Sequence, residues 1–238
     1  MNTVPLEIRT LSDRLVDVLR DLILSGAIEP DVAIRQDALA AELRVSKIPL
    51  REALARLESD GLVFSQPNRG FFVRAMSPEE AEEIYALRLK LEPDAAAHAC
   101  LIATVADHEK ATKALAAFDV DAEAHKPTVG ALNRAFHLAL VQPGGNRITT
   151  NIVARLHILA DRYVRKHLEP KGRVLRAEAE HHDLLDAWVK RKEARVRKVI
   201  TEHLEGTLGD LRAALRAESA PRAVKTEKKR VARKTATR

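Results

Sequence analysis

Between residues 11 and 74 the chain strings together five short segments in an order that leaves few folds open. In residues 11–25 (LSDRLVDVLRDLILS), Leu11, Leu15, Val18, Leu19 and Leu22 fall at helical spacing, and Gly26 follows as a stop signal. Pro30 and Asp31 turn the chain into a short apolar segment around Val32–Ile34, and residues 37–43 (DALAAEL) read as a short helix. Arg44-Val45-Ser46 makes a turn with Ser46 as N-cap, and residues 47–60 form a second helix ended by Gly61. Pro49 falls in its first turn, where a missing N–H costs little. Two β-rich runs, Leu62–Ser65 and Phe71–Arg74, joined by Gln66-Pro67-Asn68-Arg69-Gly70, predict a hairpin with a basic tip. Helix, short helix, turn, helix and hairpin is the layout of a winged helix-turn-helix.

Such a module reads DNA by sending the N-terminal turn of its second helix into the major groove, so that turn should be polar and outward-facing. Here it carries Ser46, Lys47 and Arg51, while Leu50, Ala53, Leu54 and Leu57 repeat on the opposite face. Arg69 beside Gly70 puts a charge and a flexible backbone at the wing, suited to a phosphate or the minor groove. Arg35, just before the first helix of the pair, suits a backbone phosphate. Any one of these arginines alone would pass for a solvated surface residue. Their joint placement argues for an interface.

Ser77-Pro78-Glu79-Glu80 then opens a new helix, with a Ser cap, Pro at the first helical position and acids in the first turn. The domain boundary falls here, giving residues 1–76 to DNA binding and 77–218 to an all-helical domain. Helices are predicted at about 78–103, 107–123, 127–141, 146–167, 173–190 and 193–217, with no strand pattern among them, which suggests an antiparallel bundle and a mainly α chain. Residues 219–238 are low-complexity and basic, with few large apolar groups, and are expected to be disordered.

Charge distribution qualifies the DNA argument. The chain carries a net +6, but the tail from 219 onward holds eight Lys/Arg against one Glu, and residues 1–75 hold ten Lys/Arg against eleven Asp/Glu. The case for DNA therefore rests on pattern. No run of apolar residues is long enough to span a membrane, and the start MNTVPLEIRT lacks the flanks of a secretory signal. The single cysteine, Cys100, cannot form an internal disulfide and fits a reducing cytoplasm.

Nine histidines are the other feature to weigh. Asn133 and His137 share a helical stripe with Phe136 and Leu140; His181 shares one with Leu184, Leu185 and Trp188; His203 shares one with Val196, Val199, Ile200 and Leu211. A lone histidine on an apolar stripe is usually a core residue satisfied by hydrogen bonds. Three on three packed helices can instead converge, and neutral imidazoles are good ligands for zinc, nickel or iron.

The stretch LAAELRVSKIPLREALARLESDGLV and the following PNRGFFV resemble the turn, recognition helix and wing of the GntR family of winged-helix regulators, over residues 11–74. The resemblance implies DNA contacts by Arg35, Ser46, Lys47, Arg51, Arg69 and Gly70. Lys47 departs from the Arg common in the family and loses the bidentate fork, and Arg44 stands where Gly is common, implying a strained or altered turn. RLKLEPDAAAHA, LNRAFHLALVQPGGN, EHHDLLDAW and ITEHL are similar to the FCD-type ligand-binding domain of the FadR subgroup, over about 78–215. Many members hold a divalent metal with an Asp and three His, and the metal anchors a carboxylate effector. Carried over, the ligands are His137, His181 and His203, with Asn133 at the Asp position and zinc or nickel as the expected ion. An amide oxygen coordinates without adding charge, so affinity should fall. His182 is a rival ligand pointing about 100° away. Arg88 either holds an effector carboxylate or pairs with Glu92 at i+4 on the surface.

The expectation is a homodimeric repressor that binds a short pseudo-palindromic operator and answers to an organic acid. Two other classes stay in view. A metal-dependent enzyme would use the same histidines, with Glu180 beside His181 as base, but adjacent helical residues point apart and no nucleophile motif accompanies them. A nucleoid-type protein would bind DNA non-specifically through the basic tail.

Overall fold

A computed structural model describes residues 10–124, 128–168, 170 and 172–219. The predicted basic tail, apart from Ser219, and the N-terminal nine residues lie outside the described residues. Helices α1 (Leu11–Leu24), α2 (Gln36–Glu42) and α3 (Lys47–Ser59) precede strands β1 (Val63–Gln66) and β2 (Gly70–Val73). Helices α4 (Pro78–Ile102), α5 (Val105–Glu123), α6 (Val129–Val141), α7 (Arg147–Leu168), α8 (Arg173–Val189) and α9 (Glu193–Ser219) follow, with one 3-10 turn at Gln142–Gly144. The chain is thus a winged helix-turn-helix joined to a helical domain, as the sequence predicts.

Each part buries its own apolar cluster. In the first, Leu50, Ala53, Leu54 and Leu57 of α3 meet Leu15, Val16, Leu19 and Ile23 of α1. The α1 face is rotated from the predicted one: Leu11 and Val18 are exposed, and Val16 and Ile23 take their places. Thr10 caps α1 through a capping box with Asp13, which sets where the helix starts. The strands pair antiparallel, Val63 with Val73 and Gln66 with Gly70, the first one residue later and the second one residue earlier than the predicted runs. The predicted apolar segment adds single bridges to β2, Ala33 to Phe72 and Pro30 to Val73. Arg44 adopts φ +53, so the turn before α3 does put a non-glycine residue in the left-handed region.

In the helical part, α5 starts two residues earlier than predicted because Thr104 and Asp107 form a capping box. Trp188 is fully buried and its indole N–H donates to Leu140 O at 3.1 Å.

Helix α7 bridges the two parts. Arg155 Nη1 lies 3.1 Å from Asp60, which Arg20 of α1 also meets at 3.1 Å. Arg162 donates to Arg74 O and Arg165 to Leu24 O. Tyr163 OH accepts from Ser77 N–H at 3.1 Å. Gly61, at φ +80, lets the two parts approach: a Cβ there would stand 2.8 Å from Leu159 Cδ2.

Candidate functional site

On the winged-helix part, Arg35, Ser46, Lys47, Arg51 and Arg69 are all exposed, and Gly70 is half-buried. Ser46 stands at the α3 N-cap with extended backbone, but its side chain makes no capping hydrogen bond, so the hydroxyl is not used up by the helix. Lys47 pairs with Asp37 in the first turn of α2. A Cβ at Gly70 would lie 3.4 Å from Gln36 Nε2. These two approaches bring the start of α2 close to the start of α3 and to the tip end of the wing. Arg69 donates to Gln66 Oε1 at 2.7 Å and lies over the Phe72 ring, which supports it at the hairpin tip.

In the helical part the three predicted histidines do meet. His137 comes from α6, His181 from α8 and His203 from α9. All are buried, and one ring nitrogen from each lies within 4.8 Å of the others. His181 Nε2 and His203 Nε2 stand 3.3 Å apart. Two ligands on a tetrahedral zinc, at 2.0–2.1 Å each, are separated by about 3.4 Å, so the spacing suits such an ion. His137 keeps both ring nitrogens without a well-formed hydrogen bond, as does His181 Nδ1. Orphaned nitrogens in a dry interior are costly, and a bound cation is one way to satisfy them.

Burial keeps His137 and His181 uncharged. It pushes His137 down to about 3 and His181 well below the usual range, with the neighbouring histidines adding to the effect on His181. A neutral imidazole presents the lone pair a metal needs. Behind His203, Glu180 Oε2 lies 2.7 Å from Nδ1, which holds the ring with Nε2 inward. Glu180 therefore serves His203 from outside and is no base beside His181. His182 faces outward against Asp119, with its side chain 62% exposed, and is not part of the cluster. Asn133 is buried one turn before His137 and borders a cavity with Tyr85, Arg88, His167, His203 and Thr207.

Arg88 and Glu92 do pair at i+4, but in the interior and not on the surface: they are 1% and 0% exposed. Arg88 Nε donates to Glu92 Oε1 at 2.5 Å, and its guanidinium lies over the Tyr85 ring. His157 of α7 completes the group, with Nε2 3.1 Å from Glu92 Oε1 and 3.3 Å from Arg88 Nη2. Glu92 Oε2 stands 3.4 Å from His137 Nδ1. Burial alone would raise the Glu92 carboxyl, yet Arg88, His157 and His137 together hold it well below the usual range. Burial pushes His157 down to about 4. Glu92, His137 and His157 also have metal-ligand spacing, but the Arg88 guanidinium already sits among them as the cation. Removing either partner of this pair alone leaves a buried charge, which costs about 3–5 kcal/mol.

His157 was missing from the sequence reading, and Glu92 entered it only as a surface partner of Arg88. His157 sits on a stripe with Val153, Ala160 and Val164, all buried, and that spacing was a usable signal.

The comparisons agree with this architecture. Residues 11–73 match the family described as bacterial regulatory proteins, gntR family, and residues 83–206 match the FCD domain. The chain belongs to the GntR family of transcriptional regulators, in its FCD-domain subgroup. Over 146 residues it is 31% identical to the uncharacterized HTH-type transcriptional regulator YdhC of Bacillus subtilis, covering 59% of this chain and 64% of that protein. It is 26% identical to the HTH-type transcriptional repressor GlaR of Escherichia coli, covering 78% of this chain and 89% of that one. Several curated relatives are spanned over only about half to two thirds of their length. The solved structure of E. coli McbR/YncC superposes with a TM-score of 0.72 at 23% identity, covering 86% of this chain and 98% of that chain, which is a likeness of fold. The matched families and the relatives are those of transcriptional regulators. Among the described residues no helix is long and apolar enough to cross a membrane.

Proposed function

We propose that residues 1–76 read an operator and residues 77–218 sense a small organic acid through a divalent metal, zinc or nickel, with repression relieved when the acid binds. The carrying observation is the buried convergence of His137, His181 and His203, with a tetrahedral-edge spacing between His181 and His203 and Glu180 orienting His203. Asn133 would supply the fourth ligand through its amide oxygen. The ion would act as a Lewis acid that anchors a carboxylate; the chain's own residues set its position and keep water out.

Operator contacts fall to Arg35, Ser46, Lys47, Arg51, Arg69 and Gly70, supported by their exposure and by the proximity of the wing to the two helix starts. Two copies would present two recognition helices to a pseudo-palindrome. Leu87, Leu101, Ile102 and Val105, exposed on α4 and α5, give the helical domain apolar surface for a second copy. That E. coli GlaR is named a repressor supports the sign of regulation.

Metal content by elemental mass spectrometry decides the sensing half. Protein purified without chelator or affinity tag should carry near one metal per chain, and a His137→Ala/His181→Ala variant should carry none. Equal, trace amounts in both would overturn the metal-mediated reading and leave a metal-free pocket.

A further inference from the structure

We infer that Glu92 is a built-in carboxylate that keeps the effector's place on Arg88, and that a small carboxylate binds by displacing it. This rests on the effector reading above. Space makes the first point. The cavity bordered by Tyr85, Arg88, Asn133, His167, His203 and Thr207 amounts to about 10 Å³, on the order of one water, so no organic acid enters unless a side chain moves. Charge makes the second. Arg88 is buried with its fork closed on Glu92, and a guanidinium fork fits a carboxylate with two parallel hydrogen bonds. Exchanging one carboxylate for another keeps Arg88 compensated throughout. Entry beside Glu92 without exchange would set two carboxylates against the one guanidinium fork. Glu92 Oε2 already faces His137 at 3.4 Å, so the displaced group has the histidine set to turn to.

The third point is connectivity. Glu92 lies on α4 and His157 on α7, so their 3.1 Å contact ties the two helices inside the core. Helix α7 then meets the winged-helix part at Asp60, Arg74 O and Leu24 O. Displacing Glu92 removes that tie on the helix that touches the DNA-reading part directly. The ligand class is therefore a short carboxylate whose head copies the Glu92 side chain, and its binding loosens α7.

The test is Glu92→Gln in full-length protein stripped of metal by chelator, with sodium acetate as the probe. The amide fills the same space but competes poorly for Arg88. Acetate should raise the melting temperature of this variant saturably, with an apparent dissociation constant at least tenfold below that of wild type. Arg88→Gln/Glu92→Gln should abolish the response. Operator affinity of Glu92→Gln without acetate should differ from wild type at least fivefold. An acetate response no stronger than wild type overturns the proposal, because a merely structural Glu92 would leave the glutamine in place and the site closed. Should Glu92→Gln fail to fold, Glu92→Asp keeps the charge with a shorter reach and should respond between the two; a response equal to wild type overturns it equally. Because the titration is read without metal, its failure is separate from failure of the metal reading. Acetate binding that leaves operator affinity untouched would sink effector control of DNA binding and leave the subsite standing.

Discussion

His203 is held from behind: its Nδ1 lies 2.7 Å from Glu180 Oε2, so its Nε2 faces His181 Nε2 at 3.3 Å. A carboxylate behind a ligating imidazole fixes the tautomer and makes the lone pair more basic. Glu180→Gln should therefore weaken metal binding by roughly 10–100-fold. The melting temperature of the metal-free protein should barely move, since the Glu180 side chain is partly exposed. Isothermal titration with zinc reads the first effect and a thermal melt in chelator the second. Unchanged zinc affinity would mean that His203 is not a ligand.

The buried histidines make the fold sensitive to acid. Burial holds His137 at about 3 and His157 at about 4, and His167 is likewise lowered to about 4. These groups are neutral when folded and take protons when unfolded, so the unfolded state binds more protons below about 6.5. Stability is full above that value and declines as pH falls toward the folded values, by on the order of 1.4 kcal/mol per pH unit for each histidine. Asp161 works the other way. Burial, against Arg134 and Arg20, raises it to about 6, so its protonation in the fold offsets part of the loss between about 6 and 4. Denaturant midpoints in metal-free protein should fall steadily from pH 7 to pH 5. A flat profile would contradict the burial of these rings.

Much of this arrangement was legible in the sequence, and the parts that were not have a common reason. Periodicity placed Leu50, Ala53, Leu54 and Leu57 on the buried face of α3, and all four are fully buried. The histidine stripes on α6, α8 and α9 likewise pointed to a shared interior. What failed was anything set by how a helix is turned or what surrounds it. Leu11 and Val18 gave way to Val16 and Ile23 because packing against α3 fixes the rotation of α1. The Arg88–Glu92 spacing was visible, but an i+4 ion pair looks the same in sequence at the surface and in a core. Its burial follows from its neighbours on α6 and α7, His137 and His157.

Asp60 is the point where both parts of the molecule share one carboxylate, taking Arg20 of α1 on one oxygen and Arg155 of α7 on the other. If α7 carries the signal, Asp60→Asn should uncouple sensing from DNA binding. Operator affinity without effector should stay within about threefold, since Asp60, Arg20 and Arg155 are not among the assigned operator contacts. The change in affinity on adding ligand should shrink toward none. Fluorescence anisotropy on a labelled operator, with and without acetate, measures both. A full response in the variant would move the coupling to the other α7 contacts, Arg162 to Arg74 O and Arg165 to Leu24 O.

Lys47 separates backbone contact from base reading. It stands at the start of α3 in an exposed pair with Asp37, the side chains 63% and 77% exposed, a link weak enough to exchange for DNA. As a point charge on a phosphate, it should contribute to affinity on all sequences alike. Lys47→Ala would then weaken operator and random DNA equally and lower the slope of log affinity against log salt by about 0.9. Lys47→Arg restores a fork that can grip guanine O6 and N7 together, and a good bidentate contact is worth roughly 1–3 kcal/mol of discrimination. If Lys47 reaches a base edge, Lys47→Arg should sharpen preference at one position per half-site and leave the salt slope as it was. If it reaches only phosphate, specificity stays unchanged in Lys47→Arg while affinity holds. Anisotropy titrations at several salt concentrations, on a selected operator and its single-base variants, distinguish the two.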